Sequence, residues 1–460
     1  MLLRTWQALV ALWEEVFAQA RTHRRAVGLA LGLMCGVGRR TVTRALGFWG
    51  KDQQDWSADY KVFSRSPWEA AALFAPLLHQ AVEAYCPADQ PVVAAVDDTV
   101  VGCTGKKIPQ TAWQRDPRSP PFQANLIWGH RFMQASLTLP LYRLDPESSP
   151  RALPVRFAEC PAVRKPRKTA PPEQWEHYRR ARKECNRSTQ FVAVGQEVRR
   201  RLDVQGFAAR WLLLTGDNSY CNRTTFGAKW ERTHLVCRAR KNYRLCFRHK
   251  GPGQRFYGQR KFTPEQVYHD QRRKWQPLRV FHGGAWRQVR YKEVTSVLWP
   301  GGTKRQYLRL VVLAPTPYRK TKTGRTYYRE RAFLLTDDLA TPAQVLVQAY
   351  LDHFEIEFNH RDEKSILGVG QAQVWSPKSV PRVPELVVAA YSGLLLASLQ
   401  AYGPKRTADY DRLPKWRRHA RRPSCQDLVQ LLRQELDEWA RAAPTSRLPG
   451  FEQMMRRAAA

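Results

Sequence analysis

Apolar residues recur at helical spacing in the first 85 residues, through Leu9, Leu12, Val16 and Ala20 and again from Leu73 to Val82, which predicts a helical region. Between them lies GVGRRTVTRALGFWG, a Gly-bearing turn followed by Arg39, Arg40, Thr41 and Arg44. A helix-turn-helix DNA reader has this pattern, and so does a plain helical hairpin with a solvated basic face. After residue 86 the period shortens. PVVAAVDD is a short β-rich run ending in two carboxylates, and RFMQASLTLPLY and ALPVRFAE read as two further strands. The Lys-, Arg- and Pro-dense stretch from about Arg164 to Arg187 reads as a basic loop, with a helix next near Phe191 to Leu202. WLLLTGDNSY is then a buried strand delivering Asp217. From about Phe226 to Leu335 the pattern is strand-like, punctuated by glycine turns at 251–253, 283–284 and 301–302. A long helix starts near Thr341, where Thr-Pro suits a helix N-terminus. A core helix is expected over Leu386 to Leu399, then a basic loop (KWRRHARRPS) and a final amphipathic helix around Leu428 to Trp439.

Charge narrows the class. The 460 residues carry 76 Lys and Arg against 40 Asp and Glu, a formal net charge of +36 at pH 7. With 43% hydrophobic residues the chain can bury a sizeable core, so it is not a disordered basic tail. An excess of this size, spread along the chain, implies a polyanionic partner, because neutralised phosphates release counterions. The nine cysteines include no Cys-x-x-Cys pair, which argues against a zinc knuckle and a disulfide framework. They read as reduced thiols in a cytoplasmic protein. Glu14 and Glu15 interrupt the first apolar stretch, and the run from Ala26 to Val37 is too short to span a bilayer; no targeting segment and no membrane partner are expected.

Carboxylates stand out against this basic background: Asp97 and Asp98 after one strand, Asp217 after another, and Glu357 on a helix. Ligands just beyond strand ends lie at the open edge of an α/β sheet. Carboxylates are hard-oxygen ligands suited to Mg²⁺ or Mn²⁺, and two such ions can support an in-line phosphoryl displacement. Taken alone, each of these acids is as readily a solvated turn or a helix cap. At about 100° per residue, Tyr350, His353, Glu357, Arg361 and Lys364 share one arc of a helix running through AYLDHFEIEFNHRDEKSILG. A carboxylate on that arc could bind metal while its cationic neighbours hold phosphates. An exposed face with a Glu357–Arg361 ion pair is the plainer account.

The spacing Tyr350-x2-His353-x3-Glu357-x6-Lys364 resembles the Tyr-Arg-Glu-Lys signature of DDE transposases from bacterial insertion sequences. Asp-Asp-Thr at 97 to 99 and GDNSY around Asp217 resemble the first two acidic motifs of that group. QDWSADYKVFSRS at 54 to 66, RDPRSPPFQANLI at 115 to 127 and EIEFNHRDEKSILGVGQAQV at 355 to 374 resemble one branch of it. The family's Arg is His353 here, and a neutral His is a weaker phosphate clamp than Arg. The resemblance implies an α/β fold: a ribonuclease-H-like mixed-sheet core with a β-rich insertion, a helical N-terminal domain and a helical C-terminal tail. The expected divisions are a DNA-binding domain at 1–85, a catalytic core at 86–400 interrupted by the insertion at about 226–335, and a basic tail at 401–460. Relatives stack an aromatic of the insertion on a flipped base, for which Trp275, Trp286 and Trp299 are candidates.

In the family the catalytic Asp directly precedes Thr, which selects Asp98; strand alternation would send Asp97 to the opposite face, leaving it as the alternative first ligand. The implied site is Asp98, Asp217 and Glu357 holding two Mg²⁺ or Mn²⁺ ions. Tyr350, His353, Arg361 and Lys364 would position phosphates, with further DNA contacts from Arg39, Arg40, Arg44, Lys106 and Lys107. Arg131, Lys229 and Arg199 to Arg201 are further phosphate-contact candidates. The expected activity is cut-and-paste transposition on double-stranded DNA (terminal inverted repeats and target), carried out by a homodimer. A stand-alone nuclease and a silent, transposase-derived DNA-binding protein are the competing readings.

Overall fold

The computed structural model describes residues 1–442 apart from 54, 117–118, 121, 252–253, 320–322 and 418–419. Parts of the QDWSADYKVFSRS and RDPRSPPFQANLI motifs, of the Gly-Pro-Gly turn and of the basic loop, and the tail beyond 442, therefore lie outside the described residues. The N-terminal region is helical, as its period predicts: α1 (Leu2–Ala11), α2 (Ala20–Cys35), α3 (Val42–Phe48), α4 (Ser57–Ser64) and α5 (Phe74–Tyr85). The Thr41 hydroxyl accepts from the Arg44 N–H and starts α3. α2 and α3 cross so closely at Gly32 that a Cβ there would meet the Ala45 backbone at 2.8 Å. This is a helix–turn–helix arrangement, with Arg39 and Arg44 exposed.

The middle of the chain builds the sheet: β1 (Val92–Gly102), β2 (Ala112–Arg115), β3 (Leu126–Leu139) and β4 (Arg151–Cys160), then α6 (Pro172–Glu184), α7 (Arg187–Leu202), β5 (Leu212–Gly216), the short α8 (Arg223–Phe226) and β6 (Thr233–Arg238). The stretch expected as a basic loop is therefore partly helical. α6 opens with Pro and Glu173 and closes with Arg182 and Lys183, charges that complement the helix dipole. It buries no side chain, which is why no apolar period marks it. β1 pairs antiparallel with β3 and parallel with β5; β3 pairs antiparallel with β4, and β5 parallel with β6. The order β4-β3-β1-β5-β6 is a ribonuclease-H-like core.

The sheet does not stop there. β7 (Leu245–Arg248), β8 (Tyr257–Phe262), α9 (Pro264–His269), β9 (Gln276–Phe281), β10 (Trp286–Leu298), β11 (Tyr307–Leu313), the small pair β12 (Pro317–Arg319) and β13 (Thr326–Tyr328), and β14 (Ala332–Thr336) follow. β14 pairs antiparallel with β6, and β11, β10, β7 and β8 extend the same twelve-stranded mixed sheet. The β-rich insertion thus continues the core sheet edge to edge. The stretch expected as insertion also contains β6, the fifth strand of the core.

The last helices are α10 (Ala343–Asp352), α11 (Glu355–Ser365), α12 (Ser379–Tyr402) and α13 (Cys425–Ala442). α12 is long and apolar enough to cross a membrane, but it is the central core helix, almost wholly buried inside the protein. α1 lies on it, with the Trp6 indole donating to the Ala390 carbonyl at 3.0 Å. Glu435 of α13 accepts from the Leu2 and Leu3 N–H groups at 2.8 and 2.7 Å, satisfying the free donors of the first turn of α1. One apolar core joins the N-terminal helices, the sheet, α12 and α13. A second, smaller core lies under α10, with Leu346 and Val347 on strands β5, β6, β11 and β14.

Candidate active site

Two chain connections decide which side of β1 is the working side. Residues directly opposite in an antiparallel pair share a face. Ala95, Asp97 and Thr99 stand opposite Ser136, Gln134 and Phe132 of β3. Asn359 of α11 accepts from the Ser136 hydroxyl at 3.1 Å, and the Lys364 ammonium donates to the Thr99 hydroxyl at 2.8 Å. α11 therefore lies over the face that carries Asp97. Asp98 is on the other face, toward α7. There Arg131 and the Tyr220 hydroxyl donate to its carboxylate, and the Arg187 guanidinium is 3.6 Å away.

Asp97 therefore lies on the α11 face, within electrostatic reach of Asp217 and Glu357, while Asp98 lies on the opposite face, engaged by two arginines and a tyrosine. The cause is the alternation of the strand, which the Asp-Thr motif does not reveal. Asp97 is pushed up to about 7, first by burial and then by the nearby Asp217 and Glu357 carboxylates, with His360 opposing. Asp217 follows β5 in a tight turn, accepting from the Ser219 N–H at 2.8 Å and hydroxyl at 3.2 Å. Glu357 is exposed on α11. Asp217 and Glu357, carried by two other elements, thus act electrostatically on Asp97.

The expected helix arc is only partly kept. The helix breaks between Asp352 and Glu355, where Ile356 and Glu357 donate to carbonyls three residues back, each at 3.2 Å. Such a tight turn rotates the chain by about 120° per residue rather than 100°, so over two or three residues α10 is turned by roughly 40–60° relative to α11. Glu357, Arg361 and Lys364 remain together on the exposed side of α11. Tyr350 instead packs against the second core. His353 turns inward, its Nδ1 2.9 Å from the Thr215 hydroxyl, and burial lowers it to about 4. The ring thus points into the fold, within electrostatic reach of Asp217, rather than outward with Glu357.

Other expected contacts divide in the same way. Arg131 is held by Asp98 and by Gln114 at 3.0 and 3.2 Å. Arg199 bonds Asp203 at 2.7 Å, and Arg201 pairs with Glu197; both serve the fold, and Arg200 alone of that trio is exposed. Lys107 and Lys229 are exposed, and Lys106 lies over the rings of Trp113 and Trp128 at 4.4 and 4.5 Å. The Arg40 N–H donates to Gln371 at 2.9 Å, tying the N-terminal turn to the loop after α11. Trp299 stacks on Tyr243 at 4.4 Å, Trp286 packs on Phe281 and Tyr142, and Trp275 lies beside Tyr268 and Lys292; all three pack within the fold.

One residue escaped the sequence reading. His360 is buried on the inner side of α11, near enough to Asp97 to favour its charged form. Its Nδ1 is 3.5 Å from Glu363, and its Nε2 has no hydrogen-bond partner among the described residues. The signal available was its place three residues beyond Glu357, about 60° round the helix toward the core.

A family model described as "DDE superfamily endonuclease" matches residues 14–306, well over half of the chain. The chain belongs to that superfamily. The match covers β1 and β5, which bring Asp97 and Asp217, and ends before Glu357. No match is found among curated proteins. Membership implies a DNA substrate, nuclease or transposase chemistry and use of a divalent metal. The donor set suits such a cation: crowded, partly buried carboxylates that repel one another are relieved by positive charge. Among the described residues, no three His, Cys, Asp or Glu groups already stand together as a ready-made metal cage.

Proposed function

We propose that this DDE superfamily endonuclease is the transposase of a bacterial insertion sequence, of the branch with the Tyr-Arg-Glu-Lys signature. It would cut transposon ends and join them to target DNA, acting on its ends as a dimer. The observation that carries this reading is that Asp217 and Glu357 lie within electrostatic reach of Asp97, which faces α11, in a strongly basic protein. Asp97, Asp217 and Glu357 would hold Mg²⁺ or Mn²⁺, with His353 and His360 supporting the carboxylates from behind.

When bound, the metal supplies activation of the attacking oxygen and neutralisation of charge on the scissile phosphate. The chain's own part is positioning, where much of phosphoryl-transfer catalysis lies. Arg361 and Lys364 share the exposed side of α11 with Glu357 and would hold phosphates flanking the scissile one. Lys364 already bonds Thr99, on the Asp97 side of β1, so its ammonium is oriented along that strand. Arg39 and Arg44 would read the transposon ends from the N-terminal turn and helix.

The test is a cleavage and strand-transfer assay. A supercoiled plasmid carrying the inverted repeats that flank the reading frame is incubated with protein and Mg²⁺ or Mn²⁺. Excision with joined products is expected, and chelator should abolish both. Cleavage without joining would leave a nuclease. DNA binding without cleavage under any divalent metal would leave a silent DNA-binding protein.

A further inference from the structure

Beyond Asp97, the same face of β1 continues through Thr99 and Val101 into a groove of about 770 Å³. β1, β2 and the start of β3 form one wall. The other wall is the loop after α11, from Val369 to Trp375. That loop is pressed onto the strand: Gly370, at φ +96°, leaves no room for a Cβ, which would lie 1.9 Å from the Val101 side chain. Three tryptophans line the groove: Trp113, Trp128 and Trp375. Trp113 is 59% exposed and Trp375 78% exposed. Single exposed apolar residues are ordinary, but indoles gathered around one groove call for an occupant.

The charges say which one. Arg39 and Lys364 stand in the lining, Lys106 sits over two of the indoles, and no acidic side chain lines the groove among the described residues. We propose that this groove binds an unstacked nucleotide of the DNA strand running past the carboxylates, its base against the tryptophans and its phosphates against Lys106, Arg39 and Lys364. The chemistry fits on both counts: aromatic faces stack any base, and lysine and arginine track the backbone. The volume is that of a small-molecule site, enough for one or two nucleotides and not for a duplex. Four residues of strand separate Asp97 from Val101, roughly 13 Å, so the occupant would lie a few nucleotides from the scissile phosphate. The proposal rests on reading the carboxylates as the cutting site.

The test needs neither the end sequence nor cleavage. A single-stranded oligothymidine carrying one 2-aminopurine is titrated into the full-length protein in chelator, at fixed salt, and its fluorescence and anisotropy are followed. Wild-type protein should quench the 2-aminopurine. Trp113→Ala and Trp375→Ala, at exposed positions that leave the melting curve unchanged, should each weaken binding about tenfold and relieve the quenching. Lys106→Gln should weaken binding and flatten its salt dependence by about 0.7 in log–log slope. Trp416→Ala, 89% exposed in the C-terminal loop, serves as the control and should behave as wild type. Wild-type affinity and quenching in the Trp113→Ala/Trp375→Ala double variant would overturn the proposal and leave the groove to some other partner, such as an apolar peptide. The two readings fail separately: quenching by a protein that never cleaves plasmid removes the cutting site alone, and plasmid cleavage with unaffected tryptophan variants removes the groove alone.

Discussion

Asp97 and Asp98 have the same side chain and adjacent positions, and their environments differ because β1 turns alternate residues to opposite faces. Asp98 closes an ion pair with Arg131, both largely out of solvent, so removing its charge strands a guanidinium. Asp98→Asn is expected to lower folding stability by roughly 3 kcal/mol, read by chemical denaturation. Asp97 carries a proton up to about 7 because it is buried beside two other carboxylates. Asp97→Asn relieves that repulsion, so its fold should be at least as stable as the wild type, while plasmid cleavage falls by at least about a hundredfold. The reverse pattern, an inactive Asp98→Asn of full stability beside an active Asp97→Asn, would return the first metal position to Asp98.

At the scale of elements, the junction of α10 and α11 sets the geometry of the site. Asp352, the last residue of α10, is buried and accepts from the Gln348 amide at 2.7 Å and the Tyr142 hydroxyl at 3.0 Å. Gln348 also bonds the backbone of Phe281 on β9, at 2.8 and 2.9 Å. The end of α10 thus joins the β-rich insertion to the core. Burial raises Asp352 from 3.8 to about 8. Between those values the folded protein holds a proton that the unfolded chain releases, so stability falls as pH rises across this window, by up to about 1.4 kcal/mol per unit. Asp352→Asn keeps a neutral side chain and should remove that fall. Its Tm should match wild type near pH 4 and exceed it by a widening margin toward pH 8; parallel curves would show that Asp352 is charged in the folded state.

Across the whole molecule, the N-terminal helices and the catalytic sheet share one apolar core. Deleting residues 1–85 would uncover α12, a helix almost wholly buried in the intact protein, and the truncated chain is expected to aggregate. End recognition is therefore best tested by point substitution. The double variant Arg39→Ala/Arg44→Ala should keep the wild-type Tm and lose discrimination for transposon ends, while salt-sensitive binding to random DNA persists through the remaining positive charge. An unchanged footprint on the ends would place recognition elsewhere, for example in the basic C-terminal loop.

Much of this was written in local pattern. The strands delivering the acids, the helical start and finish, and the buried apolar helix α12 follow from hydrophobic period. The nucleic-acid partner follows from the +36 charge, and the acidic motifs carry the family resemblance. These survive because apolar burial and net charge depend little on exact geometry. What tertiary structure alone decided is orientation. Which of two adjacent aspartates faces α11 depends on strand pleat and on the partners across β3. Whether Tyr350 and His353 share the arc of Glu357 depends on a break at residues 353–354 that a single helical wheel cannot show. The folding of helices 1–85 onto α12 and the meeting of Trp113, Trp128 and Trp375 around one groove join residues up to several hundred positions apart, and such contacts leave no local periodicity to read.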